Sequence, residues 1–208
     1  MDTTNVWDRN CAAKTRYILN PGGTRSSKTV SLMQIAYHLA LKLKEQPITI
    51  TVASETMPHM KKGAMKDFYD YLNKQNIYNP SSENKSDYYY RIGKAKVEFM
   101  SVDSPDRVHG PGRDYLFCNE IQNWKYETFF HMAQRTSQRI YADWNPTHEF
   151  FIYPEYINNP YYNFSTWVYR IARNEAMQLI RDNNRERCYI EKMKDIGLLE
   201  DSKYEPIS

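Results

Sequence analysis

The chain has 208 residues, of which 41% are hydrophobic and 25% charged, so it can bury one sizeable core and is not intrinsically disordered. No apolar run approaches the ~20 residues that cross a membrane, the polar first residues are no signal peptide, and three widely spaced cysteines favour reduced thiols over disulfides or a zinc site. A net charge of +3 permits nucleic-acid binding without arguing for it.

Strands and helices alternate along the first part of the chain. In order, we predict a lead-in over 1–15 anchored by Val6 and Trp7, a strand at Tyr17–Leu19, a helix over Thr29–Lys44, a strand at Ile48–Ala53, a helix over His59–Asn76, a hairpin of Tyr88–Ile92 with Lys96–Ser101, and a loop over Ser104–Asp114. There follow a strand at Tyr115–Cys118, a helix over Lys125–Arg135, a strand at Arg139–Trp144 and a further strand at Phe150–Tyr153. This alternation predicts an α/β fold with a mainly parallel central sheet and helices on both of its faces.

The pattern changes after Pro160, where amphipathic helices are predicted around Trp167–Leu179 and Tyr189–Leu199. We therefore divide the chain into a core over residues 1–155 and a small C-terminal helical subdomain or linker over residues 156–208.

The segment between the first strand and the first long helix matches a phosphate-binding loop, the Walker A motif, with one departure. Gly22, Lys28 and Thr29 fit the pattern G-x-x-x-x-G-K-[ST], whereas Ser27 replaces the second glycine. In such a loop, backbone amides and the positive end of the following helix converge on an anion. The candidate nucleotide-binding residues are Gly22, Gly23, Thr24, Arg25, Ser26, Ser27, Lys28 and Thr29.

Each polar residue of this loop has an expected role. Lys28 is expected between the β- and γ-phosphates of ATP, and the Thr29 hydroxyl is expected on Mg²⁺. Ser27 must adopt backbone geometry that glycine prefers, which costs roughly 1 kcal/mol if φ is positive. Arg25 could place its charge on the γ-phosphate, or point outward to a neighbouring subunit or to DNA. Four other arginines are further candidates for this catalytic role: Arg107, Arg113, Arg135 and Arg139.

Polar residues also follow two later strands. The apolar strand Tyr115–Cys118 ends in Asn119 and Glu120, where many P-loop ATPases carry an Asp that supports the metal and a Glu that activates water. Glu120 is therefore the candidate catalytic base, and the uncharged Asn119 is expected to support the metal through a bound water. Asn145 ends the next strand and is a candidate γ-phosphate sensor, although Asn145-Pro146 is equally a good turn former.

Together, these segments resemble the ATPase domain of phage terminase large subunits, the DNA-packaging motors. The resemblance covers roughly residues 14–155, and each motif alone is less specific than their order and spacing. The matching stretches are Arg16–Leu19, Gly22–Thr29, Ile48–Ala53, Val97–Met100 leading to Gly110, Asp114–Glu120 and Asp143–Pro146. The Asn119-Glu120 pair is similar to a variant found in this family.

The resemblance implies a P-loop NTPase of the ASCE, RecA-like class that hydrolyses ATP with Mg²⁺ and drives double-stranded DNA into a procapsid. It implies catalytic roles for Lys28 and Glu120, metal binding by Thr29 and coupling of hydrolysis to movement by Asn145. Portal protein and the small terminase subunit are the implied partners, with assembly as a ring of identical subunits and an arginine supplied by Arg25 or by a neighbour. The implied location is the host cytoplasm, transiently at the procapsid portal, with no membrane partner.

Family members usually continue into a nuclease domain with a carboxylate cluster that binds divalent metals. We expect neither that domain nor nuclease activity in this chain, and residues 156–208 match the family poorly.

Two other interpretations stay open at this stage. A helicase-like nucleic-acid ATPase would share Lys28, Thr29 and Glu120, and strand separation would distinguish it. A nucleotide-binding module without turnover is favoured by Ser27 and Asn119, and unchanged phosphate release after Glu120→Gln would leave that interpretation standing.

Overall fold

The computed structural model describes residues 4–23, 26–103 and 112–158. The chain divides into two compact units, Met1–Glu155 and Tyr156–Ser208, and only residues 156–158 of the second are described. Thr24, Arg25, most of the loop predicted over Ser104–Asp114 and the helices predicted after Pro160 lie outside the described residues.

The first unit has seven strands and five α-helices in its described residues. In chain order they are α1 Asn5–Ala12, β1 Tyr17–Pro21, α2 Lys28–Lys42, β2 Thr49–Ser54, α3 Met57–Lys62, α4 Ala64–Lys74, β3 Glu83–Asn84, β4 Tyr89–Ile92, β5 Ala95–Ser101, β6 Arg113–Cys118, α5 Tyr126–Gln134 and β7 Thr136–Trp144. Short 3₁₀ turns span Pro80–Ser82 and Ile121–Asn123, and a π-helix spans Tyr153–Ile157. Within the described residues, no helix combines the length and apolar character needed to cross a membrane.

The strands form one mainly parallel sheet, as predicted, and their order is β1-β7-β6-β2-β5-β4-β3. The pairs β1–β7, β7–β6, β6–β2 and β2–β5 are parallel, and β4 and β3 add an antiparallel edge. Because β7 lies between β1 and β6, the carboxyl ends of three neighbouring strands meet at one edge of the sheet. The predicted phosphate loop and both predicted polar strand ends are therefore brought to the same place.

The core of this unit lies where α2 and α4 pack with the central strands. These helices pack because apolar residues recur at helical spacing along each of them. All residues of β2 after Thr49 are buried, as expected of a strand inside a parallel sheet. The core cluster includes Leu32, Met33, Ile50, Val52, Phe68, Leu72, Val97 and Phe99.

The predicted lead-in is a helix. Thr4 caps α1 by accepting a hydrogen bond from the Trp7 amide, and its hydroxyl lies 2.7 Å from that of Ser31 on α2. The side-chain amides of Asn10 and Asn20 donate to each other, which ties α1 to the buried strand β1. These polar contacts, together with Trp7 packed against the core, hold α1 in place.

The helix predicted over His59–Asn76 is divided at Gly63. Thr56 caps the short α3, and the chain turns at Gly63 with φ −106° and ψ −109° before α4 begins. A Cβ at Gly63 would lie 3.2 Å from the His59 carbonyl oxygen. The predicted hairpin is confirmed, with Gly93 at φ 61° in its turn.

The strand predicted at Phe150–Tyr153 is wrong. The rings of Phe150 and Phe151 pack instead against Trp144 and Phe129, with centroids 5.7 and 5.5 Å apart respectively. Aromatic packing partly buries this segment without a ladder of backbone hydrogen bonds. An apolar run alone does not distinguish such packing from a strand.

Phe68 tests the assignment of the core. Its side chain is fully buried and contacts the rings of Tyr69, Tyr90 and Phe99. Phe68→Ala should lower the free energy of unfolding by about 3–5 kcal/mol, because it removes these contacts and leaves a cavity. Phe130, at 40% exposure, is the matched control, and Phe130→Ala should cost much less in the same urea titration. Equal costs at the two positions would contradict this core.

Candidate functional site

The predicted phosphate loop connects β1 to α2. The Gly22 amide donates to the Trp144 carbonyl of β7 at 3.2 Å, and α2 begins at Lys28. Ser27 has φ 58° and ψ 20°, the left-handed conformation expected where a serine replaces a glycine. Strand, turn and helix therefore follow in the order that a Walker A loop requires, with the expected strain at Ser27.

The Lys28 side chain folds back over its own loop and is only 9% exposed. Its ammonium donates to the carbonyl oxygens of Gly22 and Gly23 and to the Ser26 hydroxyl, with the Gly23 contact at 2.9 Å. It also donates to Oδ1 of Asn145 at 3.1 Å, and Asn145 is the residue directly after β7. The charge of Lys28 is therefore held at the mouth of the loop, and Asn145 is in direct contact with it.

A carboxylate that the sequence analysis did not select links the loop to β6. Asp143, on β7, accepts a hydrogen bond from the Thr29 hydroxyl at 3.0 Å through Oδ2. Its Oδ1 accepts from the Glu120 amide at 2.7 Å. One buried side chain thus fixes both the first turn of α2 and the end of β6.

Glu120 lies just beyond β6 in a left-handed conformation, with φ 52°. Its Oε2 is 3.3 Å from Nε2 of His59 on α3, and both side chains are 35% exposed. A non-glycine residue with positive φ costs of order 1 kcal/mol and persists where surrounding contacts impose it. Here the hydrogen bond from the Glu120 amide to Asp143 is such a contact.

These side chains surround one cavity of about 220 Å³. Its lining residues are Ser26, Ser27, Lys28, Thr29, Val30, Asp67, Glu120, Asp143, Trp144 and Asn145. Lys28 and Glu120 therefore face a common space, although they lie 92 residues apart in sequence. The cavity combines the Lys28 ammonium, three carboxylates and hydroxyl groups. These groups suit a ligand made of a phosphate chain and a bound metal cation.

Asn119 occupies a different position. Its side-chain amide donates to the Ser54 hydroxyl of β2 at 3.1 Å, and Asn119 is 4% exposed. Among the described residues, those that line the cavity do not include it. Water-mediated metal support by Asn119 stays a prediction, whereas the carboxylate adjoining Thr29 is Asp143.

Three residues of this site were not predicted from the sequence: Asp143, Asp67 and His59. For Asp143 a signal was present, since it is the penultimate residue of a predicted strand and lies two residues before Asn145. Asp67 and His59 come from α4 and α3, so only the packing of those helices brings them here.

Burial raises the pKa of two carboxyl groups that line the cavity, Asp143 and Asp67. Burial raises the pKa of Asp143 from 3.8 to about 6, against the lowering effect of its hydrogen bonds from Glu120 and Thr29 and of the Lys28 charge. Burial also raises the pKa of Asp67, with a smaller contribution from Asp70. Both effects express the cost of holding negative charge away from water.

The site fits a magnesium ion by its donor chemistry. The Thr29 hydroxyl and the Asp143 carboxylate are oxygen donors within 3.0 Å of each other, and Mg²⁺ prefers oxygen ligands. The described residues contain no cluster of three or more His, Cys, Asp or Glu side chains able to hold a metal. Mg²⁺ bound by few protein groups normally takes its other ligands from phosphates and water.

No protein-family model and no curated protein matches this sequence. Among solved structures, the fold is similar to the large terminase of a thermophilic bacteriophage, with a TM-score of 0.63 and 14% identity over 74% of this chain and 41% of that one. The same terminase in complex with ADP gives a TM-score of 0.60 and 17% identity over 73% and 40% of the two chains.

The large terminase ATPase domain of Thermus phage P74-26 gives a TM-score of 0.57 and 11% identity over 74% of this chain and 68% of that domain. The chain spans about two-fifths of the length of the first terminase. The fold of this chain is therefore similar to that of terminase ATPase domains, so the resemblance inferred from the sequence is confirmed at the level of fold.

The raised pKa of Asp143 makes stability depend on pH. Because its pKa is about 6 in the folded protein and 3.8 ordinarily, the folded state binds this proton more tightly than the unfolded chain. This group should therefore lower the free energy of unfolding by up to about 3 kcal/mol as pH rises from about 4 to 7.

Asp143→Asn removes this effect. In urea titrations across that pH range, the free energy of unfolding of the wild type should fall steadily relative to that of Asp143→Asn as pH rises. A difference that does not change with pH would contradict the assignment.

Proposed function

We propose that this chain is the ATPase motor domain of a viral terminase large subunit, which hydrolyses ATP to move double-stranded DNA into a procapsid. The observation that carries the proposal is the cavity shared by Lys28, Thr29, Glu120 and Asn145 at the carboxyl edge of a parallel sheet. The loop, the acidic strand end and the polar tip of the next strand are the parts that phosphoryl transfer needs.

ATP would place its phosphates in the Walker A loop. Loop amides and the start of α2 favour an anion there, and Lys28 can exchange its carbonyl contacts for the β- and γ-phosphates. Mg²⁺ would be held by Thr29 and by the phosphates, whose charge it would neutralise. The Gly22 and Gly23 positions allow the chain to approach those phosphates closely.

Glu120 is the proposed general base. Its carboxylate lines the cavity and can orient a water against the γ-phosphate once it moves off His59. Arg25, or an arginine from a neighbouring subunit, would add charge to the phosphate oxygens in the transition state. Asn145 already contacts Lys28, so a change at the γ-phosphate can pass through Lys28 to the end of β7.

The finer parts of the proposal concern partners. A packaging motor grips the DNA backbone and not base edges, so we expect binding that is insensitive to sequence and weakened by salt. Portal protein, the small terminase subunit and further copies of this chain in a ring are the proposed partners. The proposed location is the host cytoplasm, at the portal during packaging.

Hydrolysis of ATP with and without double-stranded DNA tests the proposal. Lys28→Ala should abolish turnover, a loss of at least about 100-fold, because it removes the cation that stabilises charge on the transferred phosphoryl group. Lys42→Ala is the matched control, since Lys42 lies exposed at the other end of the same helix. DNA should stimulate the wild type without strand separation, whereas unwinding would support a helicase.

Glu120→Gln separates an enzyme from a binding module. The amide keeps the size of the side chain but cannot accept a proton, so phosphate release should fall by about 10²–10⁴-fold. Binding of ATPγS, measured by calorimetry, should persist because Glu120 is not part of the phosphate loop. Unchanged phosphate release in this variant would rule out the proposed hydrolytic role.

A further inference from the structure

We propose that Asp143 is the charged residue that supports the divalent cation beside Thr29, the role usually taken by an aspartate at the position of Asn119. This inference rests on the proposed function, since it concerns the metal that accompanies ATP. It assigns the metal-supporting carboxylate to β7 instead of β6.

The position of Asp143 beside Thr29 is the first observation that supports the assignment. Thr29 is the residue whose hydroxyl a Walker A loop presents to Mg²⁺, and Asp143 Oδ2 is 3.0 Å from that hydroxyl. A cation that binds the Thr29 oxygen therefore lies within reach of Asp143, either directly or through a bound water. Both residues line the same cavity.

The orientation of Asn119 supports it second. The Asn119 amide is engaged with Ser54 on β2, on the other side of β6 from β7 in the strand order. Asn119 carries no charge, so even a rotated side chain would attract a cation weakly. Without an aspartate at this position, β6 offers no negative charge to the cation, and Asp143 on the neighbouring strand β7 can supply it.

Electrostatics supports it third. Asp143 is 1% exposed, and the Thr29 hydroxyl and the Glu120 amide that donate hydrogen bonds to it are both uncharged. Lys28 is the cation whose charge acts on it, but the Lys28 ammonium donates to loop carbonyls and to Asn145. A buried carboxylate costs free energy unless it is paired or coordinates a metal, and a divalent cation at Thr29 would provide that compensation.

The register of the sheet explains why β7 can take this role. Asp143 pairs with Asn20, the penultimate residue of β1 before the loop, while β6 lies on the opposite side of β7. The end of β7 is therefore nearer to the loop in the strand order than the end of β6. A carboxylate on β7 can reach Thr29 and still accept a hydrogen bond from the Glu120 amide.

The test measures binding of Mn²⁺ by electron paramagnetic resonance to the full chain saturated with ATPγS. Asp143→Asn should lower the apparent Mn²⁺ affinity by roughly 10–100-fold, while ATPγS binding without metal is kept. Asp143→Ser, which also removes the carboxylate, should show the same loss. Asp70→Asn removes an exposed carboxylate of α4 and should leave Mn²⁺ affinity unchanged.

Asn119→Ala tests the alternative in which Asn119 supports the cation. We expect this variant to keep wild-type Mn²⁺ affinity. A lower Mn²⁺ affinity in Asn119→Ala, with unchanged Mn²⁺ affinity in both Asp143 variants, would overturn the inference. If the wild type binds ATPγS and Mn²⁺ and only the Asp143 result fails, the proposed function stands without this assignment. If the wild type binds no ATPγS at all, both fail together.

Discussion

The two hydrogen bonds accepted by Asp143 hold together the parts on which the rest of the site depends. One comes from Thr29 in the first turn of α2, and the other from the Glu120 amide at the end of β6. They can form because β7 is inserted between β1 and β6, so that three carboxyl ends adjoin. The strand order is thus the structural cause, and the shared cavity is its consequence.

Two residues at this site break the local rules of backbone conformation. Ser27 and Glu120 both adopt positive φ, a region that residues with a Cβ rarely occupy. Each lies at a junction, Ser27 before α2 and Glu120 after β6, where the chain must turn sharply to present a group to the cavity. Strain of this kind persists where surrounding contacts impose it, and at Glu120 the contact is the bond to Asp143.

Local patterns predicted most of the sheet and the loop. The β-branched run in β2, the continuous apolar residues of β6 and the glycine pair before Lys28 each carry a strong local signal. The motif also required Ser27 to tolerate a conformation that glycine prefers, and the observed φ is 58°. The helix α1 was missed because it is short and is held partly by polar contacts, with Trp7 as an apolar anchor. The strand at Phe150–Tyr153 was predicted wrongly because an apolar, aromatic run can form either a strand or a packed irregular segment. The direction of Asn119 and the approach of Asp143 and His59 depend on strand order and helix packing, which no local pattern specifies.

The central claim is that Lys28 and Glu120 act on one triphosphate. A crystal structure with ATPγS and Mg²⁺ tests it most directly. The account predicts Lys28 Nζ on the β- and γ-phosphates, Glu120 facing the γ-thiophosphate, and Asn145 beside them. A nucleotide bound elsewhere, or bound in the loop with Glu120 turned to a separate cavity, would contradict it.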